Sequence, residues 1–211
     1  MSQTLAADLV EVPYGADVLR FSEVDHTYFL NDREMPSVTQ ILKQAGYCRP
    51  WNGDGSAAWK GRHCHSATLY EDHDDLDWDR LDPVLQPYVA GWRLFKAETG
   101  FVPDLSLAER PCYHKFMRYG GTPDRPGMAK AQRVVVEIKS GAPEPWHLLQ
   151  SVAYVQMLAS HDEVWTAARP WLVYLTDKGT YRIMPATDKV LRNLWPAIVS
   201  TVQGRALYGS R

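Results

Sequence analysis

Two charged residues, Glu137 and Lys139, close the apolar run at residues 133–139. The β-branched residues of this run predict a buried strand, in which alternate side chains point to opposite faces. Glu137 and Lys139 therefore share one face, where burial of their charges is costly unless they pair or bind a metal ion. A second acid, Asp124, follows Pro123 and stands thirteen residues before Glu137. Two carboxylates that hold Mg²⁺ beside an ammonium group could hydrolyse a phosphodiester bond with activated water.

The helix predicted next, Trp146–Ala159, carries a Gln-x-x-x-Tyr pair. Gln150 and Tyr154 lie about one turn apart, on nearly the opposite side from an apolar stripe. Core packing therefore does not explain them. The simpler alternatives are a solvent-facing helix side for this pair and, for Glu137 and Lys139, an exposed pair at a sheet edge.

Three residues further upstream could contact a metal ion or a phosphate. His65 ends a Gly-x-x-x-His pattern on a predicted helix, with a helix-surface histidine or a hydrogen-bonded core histidine as the alternative. Arg62, three residues earlier, could share its face and contact a phosphate. Glu109 ends a predicted strand, with an ion pair to Arg110 or Lys115 as the alternative.

The segment Arg125–Arg133 predicts a hairpin tip with three basic residues, among them Arg125 and Lys130. Such a tip could clamp a phosphate backbone, and a plain solvated loop is equally compatible with it. The two glycines before Asp124, Gly120 and Gly121, predict a bend that turns this acid toward Glu137.

The order of these motifs over residues 36–154 resembles the RecB-like branch of the PD-(D/E)xK nuclease superfamily. It runs Pro-Ser-Val-Thr-x-Ile-Leu, Gly-x-x-x-His, Glu, Pro-Asp, Glu-x-Lys and Gln-x-x-x-Tyr. The first element is similar to phage-type exonucleases and to the mitochondrial genome maintenance exonuclease group. It also resembles a nuclease family associated with CRISPR adaptation, whose members usually hold an iron–sulfur cluster with four cysteines. The chain has three scattered cysteines, so we expect no cluster.

The resemblance implies a Mg²⁺- or Mn²⁺-dependent deoxyribonuclease, and an exonuclease rather than an endonuclease. The metal ligands it implies are His65, Asp124, Glu137 and the carbonyl of Ile138. Lys139 would assist the attacking water, and Gln150 and Tyr154 would position the strand. Substrate contacts are expected from Arg62, Glu109, Gln150, Tyr154, Arg125 and Lys130.

Two other hypotheses about the function are compatible with the sequence. The chain could be a non-catalytic module that binds DNA or protein, or it could be a DNA endonuclease. The resemblance implies a role in phage or bacterial recombination, replication or repair, with a partner protein from such a pathway. The residues leave open the digestion polarity, single- or double-strand preference and DNA or RNA as substrate. A monomer and a ring-shaped trimer both fit the sequence.

Length, composition and net charge limit the size of the core and the partners that can be predicted for the chain. The 211 residues are 45% hydrophobic and carry a formal net charge of −2. They can bury one core, but their net charge gives no general affinity for nucleic acid. The first 17 residues include three acids and no Lys or Arg, which argues against a targeting peptide. We expect a cytoplasmic protein with no membrane span.

The predicted fold is α/β, a restriction-endonuclease-like core with a central mixed sheet flanked by helices. An N-terminal hairpin and helical part would occupy residues 1–100 and the catalytic sheet core residues 101–211, within one domain. The acidic run at residues 71–79 predicts a solvated loop. The predicted elements before the core are Val18–Phe21, His26–Leu30, Val38–Gln44, Asp54–Asp72 and Pro83–Thr99. Those in the core are Leu105–Arg110, Tyr113–Tyr119, Arg133–Lys139, Trp146–Ala159, Trp171–Thr176, Thr180–Met184 and a helix from Asp188 that breaks or kinks near Pro196.

Overall fold

The computed structural model describes residues 9–48, 55–186 and 189–208. The chain begins with an antiparallel four-stranded sheet, made of β1 (Leu9–Tyr14), β2 (Asp17–Ser22), β3 (Thr27–Leu30) and β4 (Arg33–Met35). The predicted hairpin corresponds to β2 and β3. The prediction missed β1 because only Val12 of this strand is buried, so the strand shows little apolar alternation.

Three helices follow, α1 (Val38–Gln44), α2 (Ser56–Asp72) and α3 (Gln86–Thr99). The predicted bounds of α1 are confirmed, and its start carries the predicted capping box. The Ser37 N–H donates to Gln40 Oε1 at 2.8 Å, and the Gln40 N–H donates to Ser37 Oγ at 3.1 Å. The predicted start of α2 at Asp54 lies outside the described residues. The predicted start of α3 at Pro83 is wrong, because residues 82–85 form a turn and the helix begins at Gln86. In this turn the Leu85 N–H donates to the Asp82 carbonyl at 2.8 Å.

From Phe101 onward, the described residues form seven strands and two α-helices. In chain order they are β5 (Phe101–Pro103), β6 (Cys112–Tyr113), β7 (Gly120–Gly121), β8 (Arg125–Ala129), β9 (Gln132–Lys139), α4 (Trp146–Ala159), β10 (Arg169–Leu175), β11 (Tyr181–Pro185) and α5 (Lys189–Tyr208). Five of these strands form the central sheet in the order β11-β10-β9-β8-β5. The β9 and β10 strands are parallel and joined through α4, and the other neighbours are antiparallel. The predicted mixed sheet flanked by helices is therefore confirmed.

Two predicted strands are wrong. Residues Leu105–Arg110 form turns instead, which begin where Asp104 accepts hydrogen bonds from Ser106 and Leu107. Of Tyr113–Tyr119, only the first residue belongs to a strand, since residues 114–118 form a tight turn. Short polar turns of this kind lack the periodicity that would identify them in a sequence.

The last helix, α5, continues through Pro196, so the predicted interruption is not observed. Proline has no N–H, and its position in a helix leaves the carbonyl four residues earlier without its usual donor. Here that carbonyl belongs to Arg192 and accepts a hydrogen bond from Gln156 Nε2 of α4 at 2.7 Å. A tertiary contact thus replaces the missing helical hydrogen bond.

The core lies on both faces of β9. On one face, Val134, Val136 and Ile138 pack with residues of α2 and α3. On the other face, Val135 packs with α1, α4 and α5. This alternation puts Glu137 and Lys139 on one face, opposite Val134, Val136 and Ile138, as the sequence predicted, and this face is the α4 side. Among the described residues, every helix is too short or too polar to cross a lipid bilayer.

Candidate metal centre

Two carboxylates meet at one end of the hairpin formed by β8 and β9. Asp124 directly precedes β8, and the pairing of Arg125 with Val136 brings it beside the end of β9 that carries Glu137. Asp124 Oδ2 accepts a hydrogen bond from the backbone N–H of Ile138 at 2.7 Å. The two acids are only 4% and 2% exposed. The sequence-predicted acids are therefore close together and buried.

Helix α2 brings His65 to the same place. Its Nδ1 lies 3.4 Å from Asp124 Oδ1 and 3.5 Å from Glu109 Oε1, and its Nε2 lies 3.1 Å from the Ile138 carbonyl oxygen. The potential ligand atoms of His65, Glu109 and Asp124 lie within 4.8 Å of one another, as a metal site requires. Glu109 was predicted as a substrate contact, and this geometry groups it with the candidate metal ligands.

The charges of this group are mutually stabilised. Burial disfavours a charged imidazole, but the carboxylates of Asp124 and Glu109 outweigh it and raise the pKa of His65 to about 10. Burial likewise disfavours a charged Asp124, but His65 and Lys139 hold the pKa of this carboxyl below its ordinary value. In the absence of a metal ion the site therefore contains an imidazolium and a carboxylate. Coordination through His65 requires this ring to release its proton.

The environment of the Glu137 carboxylate shows that this site suits a cation. Its Oε1 accepts from Lys139 Nζ at 2.8 Å, but its buried Oε2 has no hydrogen-bond partner among the described residues. Burial and the charge of Asp124 raise the pKa of Glu137 to about 8. An unpartnered buried acceptor is unfavourable, and a divalent cation at this oxygen would relieve both effects. Carboxylate oxygens suit Mg²⁺ and Mn²⁺, and the imidazole of His65 also suits Mn²⁺.

Lys139 is held by side chains from two elements. Besides Glu137, its Nζ donates to Gln150 Oε1 at 3.0 Å, and Gln150 Nε2 donates to the Tyr154 hydroxyl at 3.1 Å. Burial disfavours the ammonium, but Glu137 and Asp124 raise the pKa of Lys139. The side chains of Gln150 and Tyr154 are buried, which differs from the solvent-facing alternative. The motif on α4 thus fixes a charged lysine beside the two acids.

Arg125 does not lie at a hairpin tip, and its predicted role as a phosphate contact is wrong. Its side chain is completely buried behind the metal-ligand group because β8 begins immediately after Asp124. The guanidinium donates to Asp72 at 2.8 Å and to Glu109 at 2.7 Å. It also donates to the backbone carbonyls of Asp124 and His65, at 2.8 and 3.1 Å. Arg125 therefore hydrogen-bonds to three candidate metal-ligand residues, which are Glu109, Asp124 and His65.

The acidic run at residues 71–79, predicted as a solvated loop, begins inside α2 and is only partly solvated. The Asp72 side chain is fully buried, where it also accepts from Lys96 Nζ at 2.7 Å and Trp92 Nε1 at 2.8 Å. Sequence reasoning missed this residue because its acidic neighbours predict a loop. Its position in the last turn of α2, seven residues after His65, was the available signal.

Glu109 is fixed by its backbone and side chain. It has a left-handed φ of 50°, and its N–H approaches the carbonyls of Pro123 and Asp124 at 3.2 and 3.1 Å. Its carboxylate forms an ion pair with Arg125 and lies near His65, rather than pairing with Arg110 or Lys115 as in the alternative drawn from the sequence. This constrained turn places the Glu109 carboxylate next to Asp124.

Lys130 lies at the turn between β8 and β9, at the opposite end of the hairpin from Asp124. Six residues of extended chain correspond to about 20 Å. Its predicted substrate contact is therefore not supported at this site. Arg62, by contrast, is exposed on α2 and lines the same cavity as the acids, as predicted.

The two glycines before Asp124 have a different role from the predicted bend. Neither has a positive φ, and a Cβ atom on Gly120 would lie 2.5 Å from the ring of Tyr28. A Cβ atom on Gly121 would lie 2.6 Å from the ring of Tyr154. Both glycines therefore allow aromatic rings to pack directly on the backbone beside the site.

A cavity of about 640 Å³ joins these side chains. It is lined by His65, Glu109, Asp124, Glu137, Lys139, Gln150 and Tyr154, and also by Arg62. The first sheet adds Phe21, Glu23 and His26, which sequence reasoning did not identify. They belong to β2 and the turn after it, and no charge pattern or spacing links them to the later motifs.

The fold and these side chains define an α/β protein with a candidate divalent-metal centre at the end of its central sheet. No protein-family model and no curated protein matches the sequence. A solved structure from Eubacterium rectale, described as a "putative exonuclease", is similar with a TM-score of 0.47 and 10% sequence identity. The similarity covers 82% of this chain and 74% of that one. At this level of similarity, the activity of this chain has to be argued from its own side chains.

Proposed function

We propose that this chain is a metal-dependent nuclease that hydrolyses phosphodiester bonds in DNA. One observation carries the proposal: Asp124 and Glu137 share a cavity with a charged Lys139 and with His65, and a buried oxygen of Glu137 has no hydrogen-bond partner within the described part of the chain. A structural ion pair would explain Glu137 and Lys139 alone. It would not explain a third acid and a histidine in ligand geometry next to them.

The chemistry follows from the positions of the side chains. His65, Glu109, Asp124 and the free oxygen of Glu137 would hold Mg²⁺ or Mn²⁺, which when bound lowers the pKa of water and neutralises phosphate charge. Lys139 is oriented by Glu137 and Gln150, so its ammonium can donate to the attacking water or to a phosphate oxygen that gains charge.

Other residues contribute binding. The guanidinium of Arg62 at the mouth of the cavity can contact a phosphate oxygen. Tyr154 acts through Gln150 and keeps that side chain directed at Lys139. The Ile138 carbonyl, predicted as a metal ligand, faces His65 Nε2. Its coordination remains a proposal, since it requires that ring to move.

The finer assignment is an exonuclease of the RecB-like branch. It is supported by the order of the motifs and by the contact of Gln150 with Lys139. A role in phage or bacterial recombination, replication or repair, with a partner protein, stays a prediction from the resemblance.

The test is a cleavage assay with end-labelled linear single-stranded and double-stranded DNA and a circular plasmid, each with Mg²⁺, Mn²⁺ or EDTA. The test variants are Glu137→Gln, Asp124→Ala and Lys139→Met. Matched controls are Glu163→Gln and Lys178→Met, whose side chains are exposed and are not among the described residues that line the cavity. Circular dichroism would show whether each variant is folded.

We expect the wild-type protein to degrade linear DNA only when a metal ion is present. The cleavage rate should fall by at least about 100-fold in the three test variants and stay unchanged in the controls. Nicking of the plasmid would replace the exonuclease assignment with an endonuclease. Tight DNA binding without cleavage under any condition would instead indicate a binding module. Wild-type rates in folded Asp124→Ala or Lys139→Met protein would refute the catalytic assignment.

A further inference from the structure

The first sheet forms one wall of the cavity that contains the acids. It contributes Phe21, Glu23 and His26, from β2 and the turn that follows. The rings of Phe21 and His26 make an edge contact with centroids 5.2 Å apart, and Phe21 stacks on Tyr28 at 4.6 Å. This wall is therefore aromatic, whereas the residues from α2, β9 and α4 are mainly charged and polar.

The aromatic wall is fixed relative to the acids. The Tyr28 hydroxyl hydrogen-bonds to Thr122 Oγ1 at 2.8 Å, and Thr122 stands two residues before Asp124. The Tyr28 ring also packs on the backbone of Gly120. These contacts fix Tyr28, and the Phe21 ring that stacks on it, relative to the metal-ligand group, and His26 lies in the turn that joins their two strands.

The cavity matches the two chemical parts of one nucleotide. A phosphate suits the side with Arg62, Lys139 and the candidate metal ligands, and a base suits the aromatic side. Glu23 lies on the aromatic side, where its carboxylate would repel a phosphate. The polarity of the cavity therefore favours one orientation, with the backbone toward α2 and the base toward His26.

The size of the cavity limits what can enter. A volume of about 640 Å³ lies in the range of roughly 300–1,000 Å³ for pockets that hold a drug-sized ligand. A nucleotide is such a ligand. A base pair carries a second nucleotide and a second phosphate backbone, whose negative charge the carboxylate of Glu23 on the aromatic side disfavours.

We infer that the substrate is the end of an unpaired strand, whose terminal base lies against His26. The inference rests on the proposed nuclease function and adds the strand preference to it. His26 binds the substrate without taking part in the chemistry, so its loss should weaken binding and leave the chemical step intact. His26 is the best residue to test because it is exposed, whereas Phe21 is buried in the first sheet.

The experiment measures kcat and KM for the full chain with Mn²⁺ on three labelled substrates of equal length: a single strand, a blunt duplex and a duplex with a single-stranded tail. We expect the single strand and the tail to be degraded and the blunt duplex to be cut at least about 10-fold more slowly. In His26→Ala, KM for the single strand should rise about 5-fold with little change in kcat. His26→Phe should restore the wild-type KM.

Two controls separate base binding from damage to the sheet. Val24→Ala alters the same turn at a side chain that is 75% exposed and is not among the described residues lining the cavity, and it should behave as wild type. A single strand whose terminal nucleotide lacks its base should be bound equally by wild type and His26→Ala.

The outcomes distinguish this inference from the nuclease proposal. Equal rates on blunt duplex and single strand, or a KM in His26→Ala equal to that of Val24→Ala, would overturn the inference and leave the nuclease function standing. Absence of cleavage on every substrate and metal would remove the nuclease proposal and this inference together.

Discussion

Replacement of Arg125 by methionine should lower the free energy of unfolding by about 3 kcal/mol. Methionine keeps a long unbranched side chain but removes the charge. Removal of one partner of a buried ion pair typically costs about 3–5 kcal/mol, because the other charge stays buried without compensation. Asp72 would lose the guanidinium of Arg125, and its side chain is as fully buried as that of Arg125.

Two contacts reduce this cost to the lower end of the range. Asp72 keeps Lys96 at 2.7 Å as a second ion-pair partner. Glu109, the other partner of Arg125, is about one quarter exposed, so water can replace part of its lost interaction. Arg125→Lys should lie between methionine and wild type, since one ammonium cannot reach the two acids and two carbonyls at once.

Urea unfolding followed by tryptophan fluorescence would measure these differences. Trp92 is a suitable reporter because its Nε1 donates to Asp72. The matched control is Arg80→Met, which removes an exposed arginine whose partner Asp77 is also exposed, and its unfolding midpoint should stay close to wild type. An Arg125→Met protein within about 1 kcal/mol of wild type would refute the assignment of this network as a structural support of the site.

Three further predictions concern packing, metal binding and pH. Gly121→Ala should lower the free energy of unfolding by about 1–3 kcal/mol, because the new Cβ would collide with the ring of Tyr154. Gly141→Ala should have little effect, because no described atom lies within reach of its Cβ. Equal urea midpoints for the two variants would contradict this prediction. Mn²⁺ should raise the melting temperature more than Mg²⁺ does, and EDTA should reverse this increase. The melting temperature of Asp124→Asn should not change with Mn²⁺, and an increase that persists in this variant would place the ion elsewhere. Burial and the charge of Lys139 lower the pKa of His147 from 6.5 to about 3, so the unfolded chain binds more protons between these values and stability falls as pH decreases through them. In His147→Gln, the fall in urea midpoint between pH 7 and pH 4 should be smaller, and an unchanged fall would contradict a neutral buried ring.

The sequence predicted the part of the site that depends on local periodicity. Alternation along β9 places Glu137 and Lys139 on one face, and the helical spacing of Gln150 and Tyr154 lets Gln150 contact both Lys139 and Tyr154. These side chains lie on regular elements whose bounds were predicted within one residue. Periodic elements are where pattern and structure correspond most directly.

The sequence did not predict contacts between distant segments. Arg125 looked like a tip residue because its partner Asp72 stands 53 residues earlier, in an acidic run typical of loops. Glu109 depends on a left-handed turn that any short polar segment could form. The contribution of His26 depends on the way the first sheet docks, and docking leaves no periodic signal in the chain.

The Asp124–Ile138 hydrogen bond has a consequence for folding order. It joins residues 14 apart across one hairpin, whereas His65 contacts Asp124 over a separation of 59 residues. Short loops close at lower entropic cost than long ones, so the hairpin with both acids can form before α2 docks against it. The candidate metal centre is then complete only after the first half of the chain has joined the sheet. Metal affinity would therefore report how much of the protein is fully assembled, and hydrogen exchange in the presence and absence of Mn²⁺ should show its largest difference in α2.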